Sequence, residues 1–151
     1  MVTMQRAAHQ LLETPLVLYD PLALTILGAN KAQALRADLD KYRHPMAQGL
    51  RSSVVVRSRL AEDEWASAIK RGVRQCVILG AGLDSSAYCH TQAPGRVFEV
   101  DLPATQAWKR ARLREVGIAI PASIVGHRLT FALERRSMLQ ECRTSQAPRS
   151  I

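Results

Sequence analysis

Apolar residues in the first seventy positions recur at the spacing that gives a helix one buried stripe, whereas beyond Val73 they fall into short unbroken runs. Asp20-Pro21 places an N-capping acid before a proline suited to a first helical turn. Leu22, Leu24, Ile26 and Leu27 follow before Gly28, which predicts a short amphipathic helix. Ala32 to Tyr42 is again helix-like, and His44-Pro45 breaks the pattern because proline disfavours helical geometry in the residue before it. Met46 to Arg71 then predicts one long helix with Val55, Leu60, Trp65, Ala68 and Ile69 available for packing, stopped by Gly72.

Cys76-Val-Ile-Leu79, bounded by Gly80-Ala-Gly82, suits a strand buried on both faces of a parallel sheet. A second strand, Arg96 to Asp101, is predicted after the Pro94-Gly95 turn and ends in an acid. Pro103 then opens a helix to about Val116, with Trp108, Leu113 and Val116 at helical intervals, before Gly117. Leu129 to Leu133 is read as a third strand, and Thr144 to Ile151 as irregular. Strand, glycine turn, connection, acid-ended strand and helix together predict an α/β fold of the right-handed parallel kind. The organisation expected is a helical segment over 1–72, a partial Rossmann-like cofactor-binding unit over 73–139 and an irregular tail over 140–151.

Length and composition narrow the class. The chain has 151 residues, 47% of them apolar, which is the range of one domain burying roughly two-thirds of its unfolded surface. That excludes collagen-like and disordered chains. The apolar run Val73 to Ala87 is interrupted by Arg74, Gln75 and Asp84 and falls short of the roughly 18 continuous residues of a membrane span. The first residues lack the long apolar region of a secretory signal, so a cytoplasmic location is expected. Cys76, Cys89 and Cys142 have neither paired nor zinc-like spacing, so no metal is expected, and Cys76 reads as core filler. The net charge of +8 is concentrated in Lys31–Leu60 and His127–Ile151. These stretches have few aromatics for stacking on bases, so they read as solvated faces rather than as a nucleic-acid surface.

The candidate chemistry lies in Gly80-Ala-Gly-Leu-Asp-Ser85 with Glu99 and Asp101. A glycine after a buried strand allows a tight turn, and a second removes the side chain that would block a ligand crossing the strand end. An acid at the tip of the next strand can accept two hydrogen bonds from a ribose diol. A dinucleotide fingerprint would have a third small residue at the helix start. Here Ser85 stands there, and Asp84 beside it would repel a pyrophosphate. The pattern therefore disfavours a nicotinamide-dependent oxidoreductase and suits S-adenosyl-L-methionine, whose amino and sulfonium groups are cationic.

Arg57-Ser-Arg59, Arg71 to Tyr88, Val97-Phe-Glu-Val-Asp-Leu-Pro103 with Lys109-Arg-Ala-Arg-Leu113, and Asp20-Pro-Leu-Ala23 closely resemble the leucine carboxyl methyltransferase family, in its bacterial, mycobacterial-type branch. The resemblance runs from about Tyr19 to Leu139. It implies a Rossmann-like, S-adenosyl-L-methionine-dependent methyltransferase. By the same resemblance Arg57 pairs with the methionine carboxylate of the cofactor, Gly80 and Gly82 lie under the methionine moiety, and Asp101 holds the ribose hydroxyls with Glu99 preceding it. The implied partner is a small-molecule or protein acceptor bearing a carboxylate or hydroxyl. A carboxylate needs no general base, and His44, His90 and His127 all read as surface or turn residues, so no catalytic residue is assigned.

Two departures from the family pattern stand out. Ala132-Leu133 occupies the place where an acid would contact the adenine. Members of the family are also about twice as long, so the chain reads as a truncated N-terminal half. Its three-strand sheet would leave an apolar edge, and marginal stability or aggregation is expected. From another class, the chain could serve as a non-catalytic remnant or a basic interaction module.

Overall fold

The computed structural model of the chain describes residues 2–90 and 94–128. Five helices come first: α1 (Val2–Leu12), α2 (Ala23–Leu27), α3 (Ala29–Ala37), α4 (Asp40–Arg43) and α5 (Pro45–Lys70). There follow β1 (Gln75–Leu79), α6 (Ser86–Cys89), β2 (Arg96–Asp101), α7 (Pro103–Glu115) and β3 (Ile124–Arg128). The three strands form a parallel sheet in the order β1-β2-β3, with Val77 opposite Phe98 and Phe98 opposite Val125. The α/β class and the acid-ended second strand are as the sequence predicts. No described helix is long and apolar enough to cross a membrane.

Local signals explain most boundaries. Pro45 occupies the first turn of α5, and the His44 ring accepts the Met46 N–H at 3.4 Å, so His44 acts as the cap of this helix. At the other end Gly72 adopts φ +93°, a conformation that ends a helix at little cost only in glycine. Asp20 does bind the Leu22 N–H, at 3.2 Å, but the helix begins at Ala23 rather than at Pro21. The segment predicted as one helix over Ala32–Tyr42 is divided between α3 and α4, broken at Asp38, whose carboxylate accepts the Lys41 N–H at 3.4 Å.

The burial of β1 and the buried side of α7 differ from expectation, and the expected third strand lies outside the described residues. β1 is not buried on both faces, Val77 being 41% and Leu79 71% exposed, and among the described residues it has a neighbouring strand on one side only. The third strand of the described sheet is Ile124–Arg128; the expected Leu129–Leu133 strand, the Ala132-Leu133 pair and the 140–151 tail lie outside the described residues. Gly126 interrupts the apolar run that would have marked β3. It faces Glu99 in register, and a Cβ there would come within 2.6 Å of Arg110 and 3.0 Å of Gln106. On α7, Trp108 is 45% exposed, and the buried side carries Gln106, Lys109 and Leu113.

The core has two parts. Ala7 and Ala8 of α1 pack with Ala23, Leu27 and Leu35, and small residues here let the helices approach closely. Ile26, Tyr88 and Leu113 form the second part, which joins α2 to α6 and α7.

Candidate functional site

The chain leaves β1 through Gly80 and Gly82, both at positive φ, +67° and +47°. A Cβ on Gly80 would meet nothing within 4 Å, so glycine is required here by the backbone conformation and not by crowding. The turn is fastened to the end of β2. The Gly80 N–H donates to the Val100 carbonyl at 2.8 Å, and the Gly82 N–H donates to Asp101 Oδ2 at 2.7 Å. The other Asp101 oxygen accepts the Leu102 N–H at 2.7 Å, so this carboxylate joins the glycine turn to the start of α7. A carboxylate has about four acceptor positions, and each oxygen of Asp101 retains capacity for a further donor.

A cleft of about 660 Å³ opens over this turn. Gly80 and Gly82 form its floor, Arg57 enters from α5, Lys31 from α3 and Trp108 from α7. Arg57 is exposed and forms no ion pair with any described residue, so its guanidinium is available to a ligand. The structure thus brings Arg57, Gly80 and Gly82 to one cleft, with Asp101 bonded to its floor.

Glu99 is not part of this group. It lies two residues back along β2, 2% exposed, and both of its oxygens are taken: Lys109 Nζ lies 2.8 Å from Oε1, and the Tyr88 hydroxyl donates to Oε2 at 3.1 Å. Burial, followed by the neighbouring Glu99 charge, pushes the Tyr88 hydroxyl well above its ordinary range. Tyr88 therefore remains the protonated donor.

The sequence reading did not identify Arg6 as part of the site. Its side chain is 2% exposed, with Nε 2.8 Å from Asp20 Oδ2 and Nη1 2.9 Å from Asp84 Oδ2. Nη2 is buried and has no hydrogen-bond partner among the described residues, the Glu62 carboxylate being 4.0 Å away. Arg6 also lines the cleft. Asp20 in turn accepts the buried Ser85 hydroxyl at 2.7 Å. Asp84 is occupied on both oxygens, by Arg6 on one side and by the N–H and hydroxyl of Ser86 on the other. The single Arg6 guanidinium is shared between Asp84 and Asp20, so these two carboxylates together keep a negative charge beside the turn, while Ser85 is committed to Asp20.

A smaller cavity of about 140 Å³ lies between α5 and β1, lined by Glu62, Trp65, Cys76, Ile78 and His90 among others. His90 Nε2 is 3.5 Å from Glu62 Oε2. Burial raises the Glu62 carboxyl above its ordinary value, against the opposing pull of His90 and Arg6. The Cys76 thiol, half-buried, is pushed up by desolvation, and the Cys89 thiol is pushed up to about 12 by burial and by Asp20. Neither behaves as a nucleophile. No group of three or more His, Cys, Asp or Glu among the described residues is placed to hold a metal ion.

Residues 1–147 match the family described as Leucine carboxyl methyltransferase. The chain is 29% identical over 141 residues to a Bacillus subtilis protein named "Putative S-adenosyl-L-methionine-dependent methyltransferase YktD", covering 79% of the chain and 46% of that protein. Proteins of Mycobacterium ulcerans and Mycobacterium marinum, also named S-adenosyl-L-methionine-dependent methyltransferases with the same qualifier, are each 33% identical over 137 residues, 82% of the chain and 43% of the relative. The chain therefore spans about half the length of these curated relatives.

Proposed function

The chain belongs to the leucine carboxyl methyltransferase family, and from that premise we propose that its cleft binds S-adenosyl-L-methionine as the cofactor-binding part of a cytoplasmic methyltransferase. One observation carries the reading: an arginine without an acidic partner among the described residues and a positive-φ glycine turn line the same cleft, and the acid that ends β2 is bonded to that turn. The donor set fits the ligand. Arg57 offers a planar pair of donors to the methionine carboxylate. The bare backbone of Gly80 and Gly82 allows close approach of the amino acid moiety, and Asp101 accepts the ribose hydroxyls. Glu99 is omitted from this assignment because its oxygens are already engaged.

When bound, the cofactor supplies an electrophilic methyl group on a sulfonium centre, and the protein's contribution is alignment and exclusion of water. With the cofactor bound, Arg57 and the turn would hold its amino acid end and Asp101 its ribose. The acceptor is a carboxylate or hydroxyl of a small molecule or protein. A carboxylate acceptor is already ionised at neutral pH and requires no base from this chain.

Calorimetric titration of the full chain with S-adenosylhomocysteine tests the assignment. Binding is expected, weakened roughly tenfold or more by Asp101→Ala, the loss of one charge-assisted acceptor. No heat at millimolar ligand, or affinity indifferent to that substitution, overturns the cofactor assignment and favours the basic interaction module.

A further inference from the structure

Asp84 closes the glycine turn and is gripped from two sides. Arg6 of α1 holds its carboxylate, while Lys109 of α7 reaches its backbone carbonyl, with Nζ donating at 2.8 Å. Lys109 is 1% exposed. The same ammonium donates to Glu99 Oε1 at 2.8 Å and stands 5.0 Å from the centre of the Tyr88 ring. Gln106, one turn earlier on α7, donates to the Glu99 carbonyl at 3.1 Å. One cation thus connects β2, the turn after β1, α6 and α7.

A buried lysine is a costly way to fill this space. Desolvation of an ammonium and a carboxylate offsets much of their attraction, and an apolar pair of similar volume often stabilises a fold as well or better. What an apolar pair cannot do is bond a particular carbonyl. Lys109 is suited to that task because its compact head carries several donors, one for the strand carboxylate and one for the turn.

We propose that Lys109 is a positioning residue: by holding the Asp84 carbonyl against Glu99, it sets the Gly80–Asp84 turn in the conformation that offers the Gly82 amide to Asp101 and forms the floor of the cleft. The inference rests on the cofactor reading for the identity of the ligand, but not for the geometry.

The test compares two variants of the full chain, Glu99→Gln and Glu99→Gln with Lys109→Met. Both lack the carboxylate, both keep an acceptor for the Tyr88 hydroxyl, and only the first keeps the ammonium on the Asp84 carbonyl. Amide hydrogen exchange over 80–84 is expected to be at least about tenfold faster in the double variant than in Glu99→Gln, with protection in α5 and β2 unchanged. Affinity for S-adenosylhomocysteine is expected to fall about tenfold from Glu99→Gln to the double variant, even though Glu99→Gln, which leaves the buried ammonium without its carboxylate, is the less stable of the two. Equal exchange in the turn, or a loss of protection spread evenly over the chain, overturns the proposal. If the double variant does not fold, Lys109→Arg serves instead: it retains the charge but not the compact donor, and unchanged turn exchange there also overturns it. A wild-type chain that fails to bind S-adenosylhomocysteine refutes the cofactor reading alone, because the exchange comparison still decides the role of Lys109.

Discussion

Helix α1 takes part in two kinds of packing. Ala7 and Ala8 press against Ala23, Leu27 and Leu35 in an entirely apolar cluster, while Arg6 beside them reaches Asp20 and Asp84 in a buried ionic junction. The apolar cluster holds helices together without prescribing their rotation, since dispersion and hydrophobic burial have little directionality. The ionic junction does prescribe it. A guanidinium that must meet Asp20 on one edge and Asp84 on another permits one placement of α1 over the glycine turn. Bulk cohesion and orientation are thus assigned to neighbouring residues of the same helix, and the site depends on the second.

The sharpest way to break the contrast is to introduce the same residue into both regions. Arg6→Met leaves Asp20, 1% exposed, without its cation, and is expected to destabilise the chain by about 3–5 kcal/mol in urea unfolding. Adding Asp20→Asn should restore part of that loss. Leu35→Met in the apolar cluster nearly conserves volume, and the same measurement should show a cost below about 1.5 kcal/mol. Equal losses for the two single substitutions would mean that the junction contributes packing and not orientation.

Acidification should give the smallest effect, again on α1. His9 is buried, its Nε2 accepts the Leu18 N–H at 3.2 Å, and desolvation holds its pKa below the ordinary 6.5, with Glu13 pulling up and Arg51 down. The unfolded chain therefore takes up this proton first. The contribution of His9 is fully present above about pH 6.5 and is lost as the pH falls below that value. Glu62, raised by burial, acts in the opposite sense, its protonation favouring the folded state. The difference in melting temperature between wild type and His9→Gln, whose amide oxygen can still accept the Leu18 N–H, isolates the histidine: the gap should move in favour of His9→Gln between pH 7 and 5. A constant gap would show that His9 stays neutral in both states or titrates alike in both.

Lys109 shows how much a closer reading of local pattern could have recovered. It lies four residues before Leu113, so the helical period that marks Leu113 as core places Lys109 on the same face and leaves Trp108 turned away. A cation on the buried stripe of a helix is a signal for a buried acid, and Glu99 on the preceding strand is that acid. Arg6 gave no comparable signal, because its partners stand far along the chain: Asp84 is 78 residues away, and the Ser85–Asp20 bond that completes the junction spans 65.

The amino-acid sequence by itself determined what depends on near neighbours. His44-Pro45 and Gly72 bound α5, the glycines after Leu79 turn the chain, and the run ending in Asp101 forms a strand, each through backbone sterics and periodicity acting over a few residues. Only the tertiary structure decided which acids face the cleft. Glu99 and Asp101 stand two residues apart on one strand, but α7 covers the first with Lys109 and leaves the second to the glycine turn. It also made Asp84 an anchor held by Arg6 and Ser86 instead of a free side chain. Burial and ion pairing are set by whichever remote elements come to lie against a residue, and local sequence does not contain that information.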